Sequence, residues 1–378
     1  MFTDHRFAEA DPAAIASVLQ DWKSRFPDMA LLAMLPEAEK AGVAMLQAVC
    51  HTHTVPLLGA IFPALMDATG FRTTGVLLIC LGTAPASFLL DELAQDGAAR
   101  LQAGIETALQ ARATDAATSG TLFTVFDAML PNIGTLLNDA HSALDAAPRY
   151  LGVNAGSETF QPMPCLFDNT RLVQNGVLGV YFPHALKAAV HHAYEGSISQ
   201  WRATSATGNR IVTINGRPAF GVYQEIIRDE YGVQLTKENF YDYAVHFPFG
   251  LVTAMDILVR IPVGLGEDDS IVCVGEIAPD SMLRLLKAPA LADSTCARNI
   301  GETLQANALA TPATSLLTFY CAGRRMHFGA EAADEIGQIR GGTQATHLYG
   351  ALSLGEIDTL DVLDYPRFHN AAVVCIAP

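Results

Sequence analysis

Met29-Ala30-Leu31-Leu32-Ala33-Met34-Leu35, then a helical stretch from Glu37 to Val49, then Val55-Pro56-Leu57-Leu58-Gly59-Ala60-Ile61. An apolar run of strand length offers water no polar face, so each run reads as a strand covered on both sides. Two such runs separated by a helix argue for a sheet layered with helices. The alternation continues outward, with strands at Gly75 to Leu81 and Leu122 to Phe126 and helices at Ser87 to Ala111 and Ile133 to Ala143. Ahead of it, Asp11 caps a helix with Pro12 at its first position, and Ile15, Val18, Leu19, Trp22 and Phe26 line one face.

Further along, Val177 to Phe182 and Ala189 to Tyr194 are strand-like, and the polar turn Thr204 to Asn209 suggests a domain boundary near residue 205. The expected organisation is an N-terminal helix over 1–28, one domain over 29–205 and a second over 206–378. In the second, Arg217 to Arg228 is read as a helix, and Ile257 to Val263 and Ile271 to Gly275 as paired strands around the turn Gly264 to Asp269. Helices at Ser294 to Ala308 and Ala330 to Ile339 flank the strand Ser315 to Cys321. No repeat at a fixed period is visible. The fold class is therefore α/β, as two lobes of mixed β-sheet layered with helices.

Asp and Glu number 39 against 23 Lys and Arg, a formal charge of −16 over 378 residues. Such a surface repels phosphates, which disfavours nucleic acid and anionic membranes and favours a basic or apolar protein partner. With 50% hydrophobic and 16% charged residues the chain has material for a large core. No run approaches the roughly 20 apolar residues of a membrane span, and the N-terminus lacks the basic and apolar regions of a secretory signal. Seven scattered cysteines without a close pair suit a reducing compartment, so a cytoplasmic location is expected.

Nucleophile elbow, H-E-x-x-H, P-loop and G-x-G-x-x-G motifs are all missing from the sequence. Cys50-His51-Thr52-His53 has metal-capable side chains but no second ligand pair nearby, so a surface loop is the plainer reading. His191 and His192 lie in a strand-like segment, where neighbours face opposite sides and one of them can reach a pocket. His246, beside Phe247 in Tyr243-Ala244-Val245-His246-Phe247-Pro248-Phe249-Gly250, sits among apolar groups of the kind that wall a flat-ligand or haem pocket; a hydrogen-bonded core histidine is the alternative. Arg324 and Arg325 end the strand Leu316 to Cys321, where α/β folds bind ligands and where Arg can grip a carboxylate, unless Glu331 and Glu335 pair with them instead. Glu356 after a small-residue turn and His369-Asn370 complete the set. Arg324, Glu356 and His369 together suit an amino acid or other small carboxylate. An enzymatic alternative uses Cys321 as a nucleophile of lowered pKa with His369 or His327 as base.

Taken in order, Asn215-Gly216-Arg217-Pro218-Ala219-Phe220 with Tyr223 and Glu225, Val259-Arg260-Ile261-Pro262, Cys321-Ala322-Gly323-Arg324, Gly355-Glu356 and His369-Asn370 resemble the FIST family of F-box and intracellular signal transduction proteins. In the N-terminal half, Val55 to Ala60 followed by Gly75 to Leu78 is similar to the family's opening strands, while Phe62-Pro63-Ala64-Leu65-Met66 departs from its usual Gly-Glu turn. The resemblance implies an N-terminal and a C-terminal FIST domain and a sensory, non-catalytic role. Gly156 to Asp168 and the run His246 to Gly250 resemble most the family's free-standing NosP-type haem-binding nitric oxide sensors. That implies haem b held by one histidine, with His246 the first candidate iron ligand and His191 and His192 the others. It also implies nitric oxide or another small ligand as the signal, and a histidine kinase, or a second copy in a homodimer, as partner.

Overall fold

A computed structural model describes residues 2–93, 96–110, 120–145, 147–253, 256–306, 315–359 and 365–377. Mixed sheets layered with helices make up the fold, as expected, and its two bodies are a core of three six-stranded sheets and a nine-stranded body inserted into it. Three copies of one unit, unseen as a sequence repeat, form the core. Each unit runs edge strand, helix, strand, helix, parallel strand, short hairpin, returning strand. In the first, the edge strand Phe2–Ala8, the parallel pair Ala30–Pro36 and Leu57–Phe62, the hairpin Leu65–Asp67 with Gly70–Arg72, and Val76–Leu81 follow in order. In the second, the corresponding strands are Ala86–Leu90, Thr121–Asp127, Arg149–Ala155, Leu166–Asp168 with Leu172–Val173, and Val177–Phe182. In the third they are Lys187–His191, Ser315–Cys321, His347–Ser353, Glu356–Asp358 with Arg367–His369, and Val373–Ala377.

Each unit builds a six-stranded sheet of the same order, but its hairpin joins another unit's sheet. The first hairpin pairs with the third unit, the second with the first and the third with the second, which closes a cycle. Register repeats as well. Gly59, Gly152 and Gly350 face Ala33, Thr124 and Thr318, and a hairpin residue crosses each glycine on its other side: Phe167, Ile357 and Met66 respectively. A Cβ on Gly350 would lie 1.7 Å from the Thr318 carbonyl oxygen, so the close approach requires glycine there. An ion pair fastens all three hairpins, Asp67 with Arg72, Asp168 with Arg171 and Asp358 with Arg367.

Side chains along these strands alternate between two cores. Phe123, Val125, Leu317 and Phe319 point into a central core shared with the first sheet, while Leu122 and Phe126, and Leu316 and Tyr320, pack outward under helices. The helix Pro12–Arg25 is capped by Asp11, which accepts the Ala13 and Ala14 N–H groups at 2.9 Å, and it buries Ile15, Leu19 and Trp22. Full burial of each such side chain contributes roughly 1.5–3 kcal/mol.

Between the third edge strand and its helix Cys296–Ala306 the chain inserts a separate body. Strands from Glu195–Gly196 to Met282–Lys287 form a nine-stranded sheet that packs with the helix Ala219–Tyr231 around its own core. Residue 205 lies within the strand Trp201–Thr207 of this insertion, because the polar turn that suggested a boundary is the turn of a hairpin with Arg210–Ile214. Local differences have similar causes. Ala86–Leu90 is an edge strand, so the helix expected from Ser87 begins at Gly97 and is described to Leu109; the end expected at Ala111 lies outside the described residues. The helix expected to reach Ala308 is described to Ala306, the rest also lying outside. Pro262–Leu265 is the strand that pairs with Ile271–Cys273, while Ile257–Arg260 pairs with Phe249–Val252.

Candidate functional site

The threefold repeat marks where the third unit is chemically different. Cys321 ends its first parallel strand at the position of Pro36 and Asp127, and Glu356 opens its hairpin at the position of Leu65 and Leu166. A carboxyl thus replaces a leucine in a fully buried place. Glu356 accepts hydrogen bonds from Ser353 Oγ at 2.6 Å and the Ala372 N–H at 3.2 Å, and burial pushes its pKa up to about 8. Cys321 Sγ accepts the Ala371 N–H at 3.1 Å; burial first, and the neighbouring Glu356 next, raise the thiol well above its usual range. The reactive thiolate expected at Cys321 is therefore not formed at neutral pH, since desolvation outweighs the nearby donors. Neither expected base is beside it, His369 bonding to Asp358 at 3.0 Å and His327 to His246 and the Pro289 carbonyl.

Arg324 is fully buried and every donor is engaged. Its Nε and one terminal nitrogen grip Glu335 at 2.6 and 2.5 Å, and the rest meet Ser294 Oγ and the carbonyls of His192 and Ala371. Of the two readings the residues left open, the pairing with Glu335 is the one realised, and no guanidinium edge is left for a ligand carboxylate. Arg325 pairs instead with Glu158 at a half-exposed position. Arg324, Glu356 and His369 are each engaged in internal hydrogen bonds, with Glu335, Ser353 and Asp358 respectively.

The candidate histidines fall into two groups. His191, His192 and His369 line one small cavity of about 220 Å³ with Asp256 and Asn299. His192 is spent on structure, accepting the Tyr194 N–H at Nδ1 and donating from Nε2 to the Ile257 carbonyl at 3.2 Å, and burial lowers its pKa to about 4. His191 Nε2 meets Thr303 Oγ1 at 2.8 Å. No group of three His, Cys, Asp or Glu among the described residues has metal-holding geometry. His246 lies elsewhere, its Nδ1 2.7 Å from His327 Nδ1. Because His327 donates from Nε2 to the Pro289 carbonyl, its Nδ1 is the acceptor, so His246 donates from Nδ1 and carries its lone pair at Nε2. Phe247 packs on Tyr231 within the insertion core, and its carbonyl accepts the Tyr223 hydroxyl.

A larger cavity of about 420 Å³ lies where the insertion meets the core. Tyr241, Val245, Ile261 and Val263 wall it from the insertion, and Phe160, Cys321, Met326 and Leu354 from the core, with Asn370 and Glu158 as polar members. Tyr241 and Met326 are 61% and 56% exposed, large apolar groups kept in water at its rim. No imidazole lines it and the Cys321 thiol is protonated; the groups of a kind that can ligate haem iron are the Met326 thioether and the Tyr241 phenol, both exposed at the rim. Glu158, Phe160 and Ile261 fall in stretches that carried the family resemblance, while nothing in the sequence marks Tyr241 or Met326 as binding residues. The motif Asn215-Gly216 is structural, a hairpin turn with φ of +49° and +78° beside the ion pair of Arg217 and Glu225.

No described helix is long and apolar enough to cross a membrane. Comparison with curated proteins gives no match. Family models do match, FIST N domain over residues 7–217 and FIST C domain over residues 219–358, and their junction falls inside the insertion, so the third unit of the core is built from both. With both domains spanning most of its length, the chain belongs to the FIST family of signal-transduction sensors.

Proposed function

We propose that this protein senses a small, mainly apolar molecule in the 420 Å³ cavity between insertion and core, and reports its presence to a protein partner. The observation that carries the reading is the position of the cavity: its two walls belong to bodies joined by the short crossings before Glu195 and after Lys287. A ligand there touches both bodies, so it binds more tightly to one relative arrangement than to another and shifts their populations by that difference. Volume and apolar lining suit a compact organic ligand. A thermal-shift screen of aromatic and aliphatic small molecules tests it, since a ligand at 100 times its dissociation constant adds about 2.7 kcal/mol. Thr159→Trp, which fills the cavity from an exposed rim position, should abolish the shift; a shift that survives it would place the ligand elsewhere.

The second reading is a cytoplasmic haem-b nitric oxide sensor acting on a histidine kinase. Its support is the lone pair at Nε2 of His246, outside the large cavity. Haemin titration separates the two: a Soret band above that of free haemin that disappears in His246→Ala favours haem, and a featureless titration removes it.

A further inference from the structure

A second compartment of about 260 Å³ lies behind the large cavity, and the two share Phe160, Val263 and Val274 as walls. Phe160 stands between them in an unusual backbone state. Its φ is +52°, a left-handed conformation costly for an aromatic residue, in a turn closed by its N–H to the Ser157 carbonyl and by the ion pair of Glu158 with Arg325. Most of the rear compartment is apolar, formed by Leu130, Ile133, Phe368 and neighbours. One polar group in it is unexplained. Asn154 is 1% exposed, and its side-chain oxygen has no hydrogen-bond partner among the described residues. A buried acceptor without a donor costs about 1–3 kcal/mol, and a ligand that supplies the donor recovers it.

We propose that the rear compartment is the specificity pocket of the same sensory site, and that it takes a ring-sized apolar group carrying one hydrogen-bond donor, accepted by Asn154 Oδ1. The proposal rests on the large cavity being the sensory site. Phe160 is then the partition a ligand displaces to occupy both compartments, and the strain of its backbone favours that displacement.

Indole and 1-methylindole test this directly, because they share a ring system and differ in the N–H donor. Isothermal titration of the full chain should show indole binding at least about tenfold more tightly. Asn154→Leu should level the two affinities, and Asn154→Asp, which keeps an acceptor oxygen, should preserve the preference. Phe160→Ala should tighten both. Equal affinities in the unmodified protein overturn the specificity pocket and leave the large-cavity reading standing; failure of both compounds to bind overturns both. Should Asn154→Leu not fold, the comparison in the unmodified protein decides alone.

Discussion

Replacing Glu356 by Gln should change how stability depends on pH, in one direction only. The folded carboxyl is fully buried and its pKa is pushed from 4.5 to about 8, while in the unfolded chain it ionises near its ordinary value. Between those limits the unfolded state binds fewer protons, so stability falls as pH rises through the window from 4.5 to 8 and is unaffected by this group below it. Each pH unit well inside the window removes about 1.4 kcal/mol, which gives a loss of about 3 kcal/mol between pH 5 and pH 7.5. Glutamine is uncharged throughout; its one oxygen can accept the Ala372 N–H while its NH2 group donates to Ser353 Oγ, the hydroxyl turning from donor to acceptor. Equilibrium urea unfolding of both proteins across that range should therefore show the variant gaining on the parent by about 3 kcal/mol as pH increases. A difference that stays flat would mean that Glu356 is ionised in the folded protein, and would refute the reading that burial holds its carboxyl neutral at pH 7.

Arg324→Met and Glu335→Leu should each cost about 3–5 kcal/mol because each strands a buried charge, whereas the double variant should cost less than either single one; urea unfolding of the four proteins gives the coupling. Gly350→Ala should prevent folding, judged by loss of the far-ultraviolet circular dichroism of the native state, since its Cβ would meet the Thr318 carbonyl oxygen at 1.7 Å. Gly337→Ala, on an exposed helical face with nothing within 4 Å, should instead stabilise by up to about 1 kcal/mol in thermal unfolding.

Residues buried on both faces were the legible ones. Ala30–Pro36, Val76–Leu81 and Val177–Phe182 are continuous apolar runs because a parallel or central strand has no solvent face. Of the three edge strands only the last was legible, as the strand-like Ala189 to Tyr194 that overlaps Lys187–His191. Phe2–Ala8, paired along Val76–Leu81, buries Phe2 alone and carries polar and charged residues, so nothing separates it from a loop. The threefold repeat was hidden for a different reason. Its signature is sparse, a glycine in each second parallel strand and an Asp–Arg pair in each hairpin, and the insertion between Lys187–His191 and Cys296–Ala306 breaks the spacing of the third copy. At the site, charged residues drew notice and the apolar wall was silent. Arg324, Glu356 and His369 drew notice as functional side chains and are held in internal networks, whereas Asn154 and Tyr241 acquire meaning only when the insertion folds against the core.

Hydrogen exchange of the full chain with and without saturating indole tests the central claim most directly. Ligand contact between insertion and core predicts slowed exchange in four segments together, residues 156–165 and 321–328 of the core and 240–246 and 261–264 of the insertion. Protection confined to one body, or centred on His191 and His369, would contradict it.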